Sequence, residues 1–208
     1  MNLPITKERI RNHLHYAWWQ YVLLAVVAIV GWNMLYTTTR YRTPDSLKVE
    51  LYCEAAVDDT DQKRINALLE EVRQQIMPDM EEVSYTSVGY DPTYGDMQLM
   101  VWMAAGEGDV YLLSNAKFLS TAESMLDLSP YVADGSLDVQ GIDLSACCIT
   151  LEETGQTILA GIPADSLTGL HEYGLECEGY TLSVMAANGN DENSIKLVNW
   201  MLTHLRQE

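Results

Sequence analysis

Apolar and polar positions divide this chain abruptly near residue 40. From Tyr16 to Thr39 the run YAWWQYVLLAVVAIVGWNMLYTTT holds no charged residue. As a helix rising about 1.5 Å per residue it reaches roughly 36 Å, enough for a hydrocarbon core of about 30 Å. Beyond it the pattern shortens. LKVELYCEA (Leu47–Ala55) alternates well enough for a first strand. Ile65, Leu68, Leu69, Val72 and Ile76 recur at helical spacing after Asp58-Asp59-Thr60-Asp61, whose carboxylates suit a helix start, and Pro78 ends the run. Glu81–Tyr90 alternates again as a second strand, Asp91-Pro92-Thr93 makes a turn, and Asp96–Ala105 reads as a helix closed by Gly106. Val110–Leu113 is continuously apolar, the pattern of a strand buried on both faces, with Ser114 as N-cap of a helix through Ser124. CCITL and TILAGIP flank Glu152–Gln156 as a hairpin. Tyr180–Ala187 is a further strand. A last helix follows Asn188-Gly189-Asn190-Asp191, with Ile195, Val198, Met201, Leu202 and Leu205 along one face. Strands alternating with helices predict an α/β fold with a mixed, mostly parallel sheet.

The ends of the apolar run carry aromatic residues, Trp18 and Trp19 on one side and Trp32 and Tyr36 on the other, as a membrane-interface belt requires. No A-x-A site follows it and no cysteine lies near its end, so cleavage and lipidation there are not expected. The reading is a signal-anchor helix at 16–39, a basic tail at 1–15, a linker at 40–46 and a globular domain at 47–208. Lys7, Arg9 and Arg11 against Arg40 and Arg42 favour a cytoplasmic N-terminus and an extracytoplasmic domain, hence a single-pass protein of the cell membrane. Charge sharpens the division. The chain carries −18, and residues 44–208 hold seven Lys/Arg against twenty-nine Asp/Glu, a balance of −22. Such a field repels nucleic acid and anionic lipid headgroups, which excludes nucleic-acid binding as the main function.

No catalytic chemistry emerges. The chain has no GxSxG, P-loop, HExxH or GxGxxG pattern, and Gly106-Glu107-Gly108 follows a helix rather than preceding one. The Asp58–Asp61 cluster lacks the spacing of a calcium loop. Cys53, Cys147, Cys148 and Cys177 form no CxxC pair; they read as buried thiols, or as a bridge from Cys177 to Cys53 or to one of the vicinal pair. His171 and His204 stand alone in the domain sequence. No enzyme, cofactor or metal is expected. Open α/β sheets bind ligands at the carboxyl ends of their strands, which points to Glu54–Asp58, Tyr90–Asp91 and Ser114–Asn115. Ser114 and Asn115 would offer a hydroxyl, an amide and free helix N–H groups, or simply cap their helix; Tyr90 and Tyr94 would stack on a sugar, or simply pack.

These pieces occur in an order that resembles one family. LKVELYC, the helix from Asp61 to Ile76, Met97–Val132 with its Ala-Gly helix end, Asp-Val strand and Leu-x-Pro-Tyr turn, ILAGIP, and the closing TLSVMAANGNDENSIKLVNWMLTHL are similar to extracytoplasmic solute-binding proteins of the type 2 periplasmic-binding fold, which serve ABC importers. The resemblance implies a three-layer α/β lobe that binds a small molecule, a sugar or a peptide, or engages a membrane partner such as an ABC permease. Two departures stand out. Such proteins have two lobes, whereas the matching pieces cover mainly one, and their usual anchor is a lipidated cysteine rather than a helix. The alternative reading is a structural or assembly protein that uses the lobe as a protein–protein surface.

Overall fold

The computed structural model describes residues 7–88, 94–152, 154–186 and 189–206. It divides into two units, Met1–Arg42 and Thr43–Glu208. The first is one helix, α1 (Lys7–Thr39), which starts well before the apolar run, so most of the expected tail is helical. His15–Thr39 is a 25-residue apolar stretch, long enough to cross a membrane, and every residue in it but Ala17 is exposed. Trp18, Trp19, Trp32 and Tyr36 are all exposed along it. The three threonines that close the helix donate back to carbonyls of the preceding turn, Thr37 to Asn33 and Thr39 to Leu35 at 2.7 Å and Thr38 to Met34 at 2.9 Å. Each hydroxyl is thereby satisfied within the helix itself.

The second unit holds a five-stranded sheet in the order β2-β1-β3-β7-β6, built from β1 (Lys48–Cys53), β2 (Glu82–Ser87), β3 (Val110–Ser114), β6 (Ile162–Pro163) and β7 (Tyr180–Val184). β1 pairs in parallel with β2 and β3, while β7 is antiparallel to both of its neighbours. Four of the five strands therefore run one way, and the expected mixed, mostly parallel α/β sheet is what forms. The hairpin of CCITL and TILAGIP is a separate two-stranded ladder of β4 (Cys148–Thr150) and β5 (Thr157–Leu159).

Alternation along β1 assigns the two faces. Leu51 faces α2 (Asp59–Ile76) and the C-terminal helix Asp191–His204, where Ile65, Leu69, Met201 and Leu205 surround it. Asp58 caps α2 by accepting from the N–H groups of Thr60 and Asp61, both at 2.8 Å, so the acidic cluster is a helix cap. Tyr52 points the other way, edge-on to Trp102 of α3 (Gly95–Ala104) with ring centroids 5.2 Å apart, and lies 5.4 Å from Tyr111. Helices on both faces give the three layers expected of the lobe. The turn after α3 needs its glycines: Gly108 has φ +80°, and a Cβ there would lie 2.7 Å from both the Tyr111 hydroxyl and the Tyr52 ring. β3 is sealed, with Val110 through Leu113 at most 1% exposed.

The cysteines are unpaired: Cys53, Cys147 and Cys177 are buried thiols and Cys148 is exposed, so neither bridge left open by the sequence is present.

Candidate functional site

The carboxyl ends of β1, β3 and β6 share one edge of the sheet with the start of β7. The chain passes from β1 outward to β2 and then to β3 on the opposite side, so the crevice between β1 and β3 is the point where strand order reverses. That crevice is filled from within. Glu54, following β1 and with its side chain 8% exposed, accepts the Ser114 N–H at 2.9 Å and lies 3.0 Å from the Lys117 ammonium. Lys117 belongs to α4 (Asn115–Thr121) and also reaches Asp96, at 3.0 Å. Burial by itself would lower the Lys117 pKa, yet its hydrogen bonds to Asp96 and Glu54 outweigh that and hold the ammonium above its ordinary value.

This arrangement corrects one expectation. Ser114 stands at the N-cap of α4 but its hydroxyl makes no capping bond. Its N–H goes to Glu54, and the Asn115 N–H goes to the Gly179 carbonyl at 2.9 Å. Two of the N–H groups at this helix start, those of Ser114 and Asn115, are thus used within the chain, and a seven-residue helix adds little dipole to draw a ligand.

The open space lies on the other side of α4. A cavity of about 420 Å³ is lined by Asn115, Phe118, Asp143, Asp165, Ser166 and Thr181, with Leu119, Ile142, Cys147 and Pro163 as its apolar wall. Asn115 is positioned there by the Thr181 hydroxyl, which donates to its Oδ1 at 2.8 Å. Asp165 accepts the Gly179 N–H at 2.8 Å, and Asp143 accepts the Ser145 N–H at 3.0 Å, which holds the Asp143 carboxyl below its ordinary range. The Ser166 hydroxyl is buried with no partner among the described residues. The polar lining is thus rich in acceptors and, among the described residues, carries no Lys or Arg.

Of the residues singled out from sequence, Asn115 lines this cavity and Ser114 lies beside it without lining it. Tyr90 and Asp91 fall outside the described residues. Tyr94 is 69% exposed at the start of α3. Asp143, Asp165, Ser166 and Thr181 were not expected. The first three sit in irregular, turn-rich stretches with no hydrophobic period, and the β6–β7 pairing that sets Pro163 beside Thr181, bringing Asp165 and Ser166 near it, is invisible to local pattern.

A thiol–imidazole contact also emerges, Cys177 Sγ to His171 Nε2 at 3.0 Å, so His171 is not alone. It has the parts of a nucleophile–base pair but not the access. Cys177 is 1% exposed and burial pushes its thiol pKa up, the opposite of activation. His204 stacks on Trp200 with centroids 4.7 Å apart. Among the described residues no group of three or more His, Cys, Asp or Glu is placed to hold a metal ion.

No protein-family model matches the chain, and no curated protein matches it. Solute-binding proteins are among the solved structures similar to it. The periplasmic oligogalacturonide binding protein of Yersinia enterocolitica aligns with TM-score 0.41 and 19% identity, covering 56% of this chain and 27% of that one. The maltose-bound T. maritima MalE3 aligns with TM-score 0.39 and 19% identity, covering 62% and 33%. A de novo designed esterase improved by directed evolution aligns with TM-score 0.41 and 19% identity, covering 57% and 28%. The chain spans a third or less of the length of each. Likeness at this level assigns no family.

Proposed function

We propose that the chain is a non-catalytic binding lobe held at a membrane by α1, and that it takes a small polar solute at the carboxyl edge of its sheet. The observation that carries this reading is the cavity beside Asn115: concave, walled by apolar side chains and furnished with a few convergent acceptors. Carboxylates at Asp143 and Asp165, in a domain of −22, favour solutes that bring hydroxyl or ammonium donors over anions. In this reading the N-terminus is cytoplasmic, the lobe faces outward, and the retained solute is offered to a membrane partner such as an importer permease.

Thermal unfolding of the full chain in detergent, against sugars, short peptides and polyamines at millimolar concentration, tests the site. A ligand at a hundred times its Kd adds about 2.7 kcal/mol, a rise in Tm of roughly 5–10 °C for a lobe of this size. No shift with any of them would remove the solute reading. Asn115→Ala is expected to weaken a ligand found this way about five- to tenfold, the loss of one hydrogen bond. Topology has a separate check. Protease added to intact cells should degrade the lobe and spare α1, and full protection would reverse the assigned orientation.

A further inference from the structure

α3 is largely apolar, with Asp96 and Gln98 its polar side chains, a composition that belongs to a mostly covered helix. One side is covered: Leu99 and Met103 are buried, and Trp102 packs on Tyr52. The other is not. Met97, Met100 and Val101 are 63%, 51% and 61% exposed, and with exposed Ala104 they follow the i, i+3, i+4, i+7 spacing of a single stripe. An exposed methionine-rich stripe of this kind is an adaptable contact surface.

The charges around the stripe say what would cover it. Exposed Asp96 stands in the first turn of α3, and no basic residue occupies its last turn, where carbonyls already gather negative potential. Exposed Glu107 follows immediately. Lys117, the cation near the start of the helix, is held between Asp96 and Glu54. The stripe is therefore apolar with acidic ends. A second copy would bring another −22 against it, and an anionic bilayer would repel it equally. We propose that the exposed face of α3 is a docking site for a partner protein presenting an amphipathic helix whose apolar stripe is flanked by Lys or Arg.

The test uses the full chain in phosphatidylcholine nanodiscs with methyl-labelled methionine, observed by NMR. The probe is a synthetic amphipathic helical peptide with a leucine stripe and lysines at both ends; its twin carries glutamates instead. The lysine peptide should shift the Met97 and Met100 methyl signals and leave the buried Met201 signal in place. The paired substitution M97Q/M100Q keeps the net charge and alters only exposed positions, and it should weaken binding at least roughly tenfold. Equal binding of the two peptides overturns the proposal, as does undiminished binding of the lysine peptide to M97Q/M100Q, or no binding at all. Self-association on sedimentation that M97Q/M100Q abolishes would assign the face to a second copy. Stripe-dependent binding to phosphatidylserine vesicles would assign it to lipid. Either result would likewise overturn the proposal.

Discussion

Phe118→Ala is expected to cost the lobe about 3–5 kcal/mol, read by urea unfolding of the full chain in detergent and followed by near-ultraviolet circular dichroism. Phe118 is the single phenylalanine of the chain and is 1% exposed. Its ring lies against the backbone of Gly161, where a Cβ would fall 2.9 Å from Phe118 Cε2 and 2.5 Å from Thr181 Cγ2. Gly161 precedes β6 and β7 is anchored across β3, so neither can close in on the space the ring leaves. Phe118 also lines the cavity, and its loss joins the void to an existing space of about 420 Å³. The change belongs at the upper end of the range for that reason, because a site that cannot collapse keeps its full penalty. Leu119→Ala, one residue along and 60% exposed, should stay within about 0.5 kcal/mol. A Phe118 loss under 1 kcal/mol would mean that the ring does not hold α4 to the sheet.

What could be foreseen followed the range of the interactions. α2 was legible from end to end because its signals are local: Asp58 caps it, and Ile65, Leu69 and Val72 form its buried face. The same holds for the sealed β3, the β4–β5 hairpin and the glycine turn after α3. β2 was read past Ser87, its last paired residue, because alternation continues beyond it; residues 89 and 90 of that reading lie outside the described residues. The carboxyl edge was found by strand order, with Glu54, Ser114 and Asn115 on it, but the contacts they make there were not. Glu54 reaches Ser114 across 60 positions of sequence, and Thr181 reaches Asn115 across 66. Nothing in either neighbourhood announces the other. A serine before a helix predicts a cap, and here its hydroxyl makes no capping bond while its own N–H goes to the carboxylate that follows β1. α3 was read from the sequence as a helix closed by Gly106, whereas the exposure of its stripe is a property of the packed lobe.

Lys117→Met carries the second large effect, an expected loss of about 3 kcal/mol at neutral pH, the lower end for breaking a buried pair. The substitution keeps most of the aliphatic stem, so the loss isolates the ammonium. Removing it strands the Glu54 carboxylate, 8% exposed, with the Ser114 N–H as its remaining hydrogen-bonding partner among those described. The exposed Asp96 arm contributes little of this, because a carboxylate in water is nearly as well solvated without a partner. The cycle closes with Glu54→Gln in the same background. A glutamine keeps an oxygen for Ser114 but brings no charge to bury, so Glu54→Gln/Lys117→Met should recover about 2 kcal/mol over Lys117→Met alone. Without recovery, the cost of Lys117→Met would have to come from packing of its stem rather than from a stranded charge. Recovery would mean that the crevice between β1 and β3 is locked by an ion pair of the chain's own. A solute would then have to take the side of α4 where Asn115, Asp165 and Thr181 leave room, rather than the strand-reversal point where open sheets usually bind.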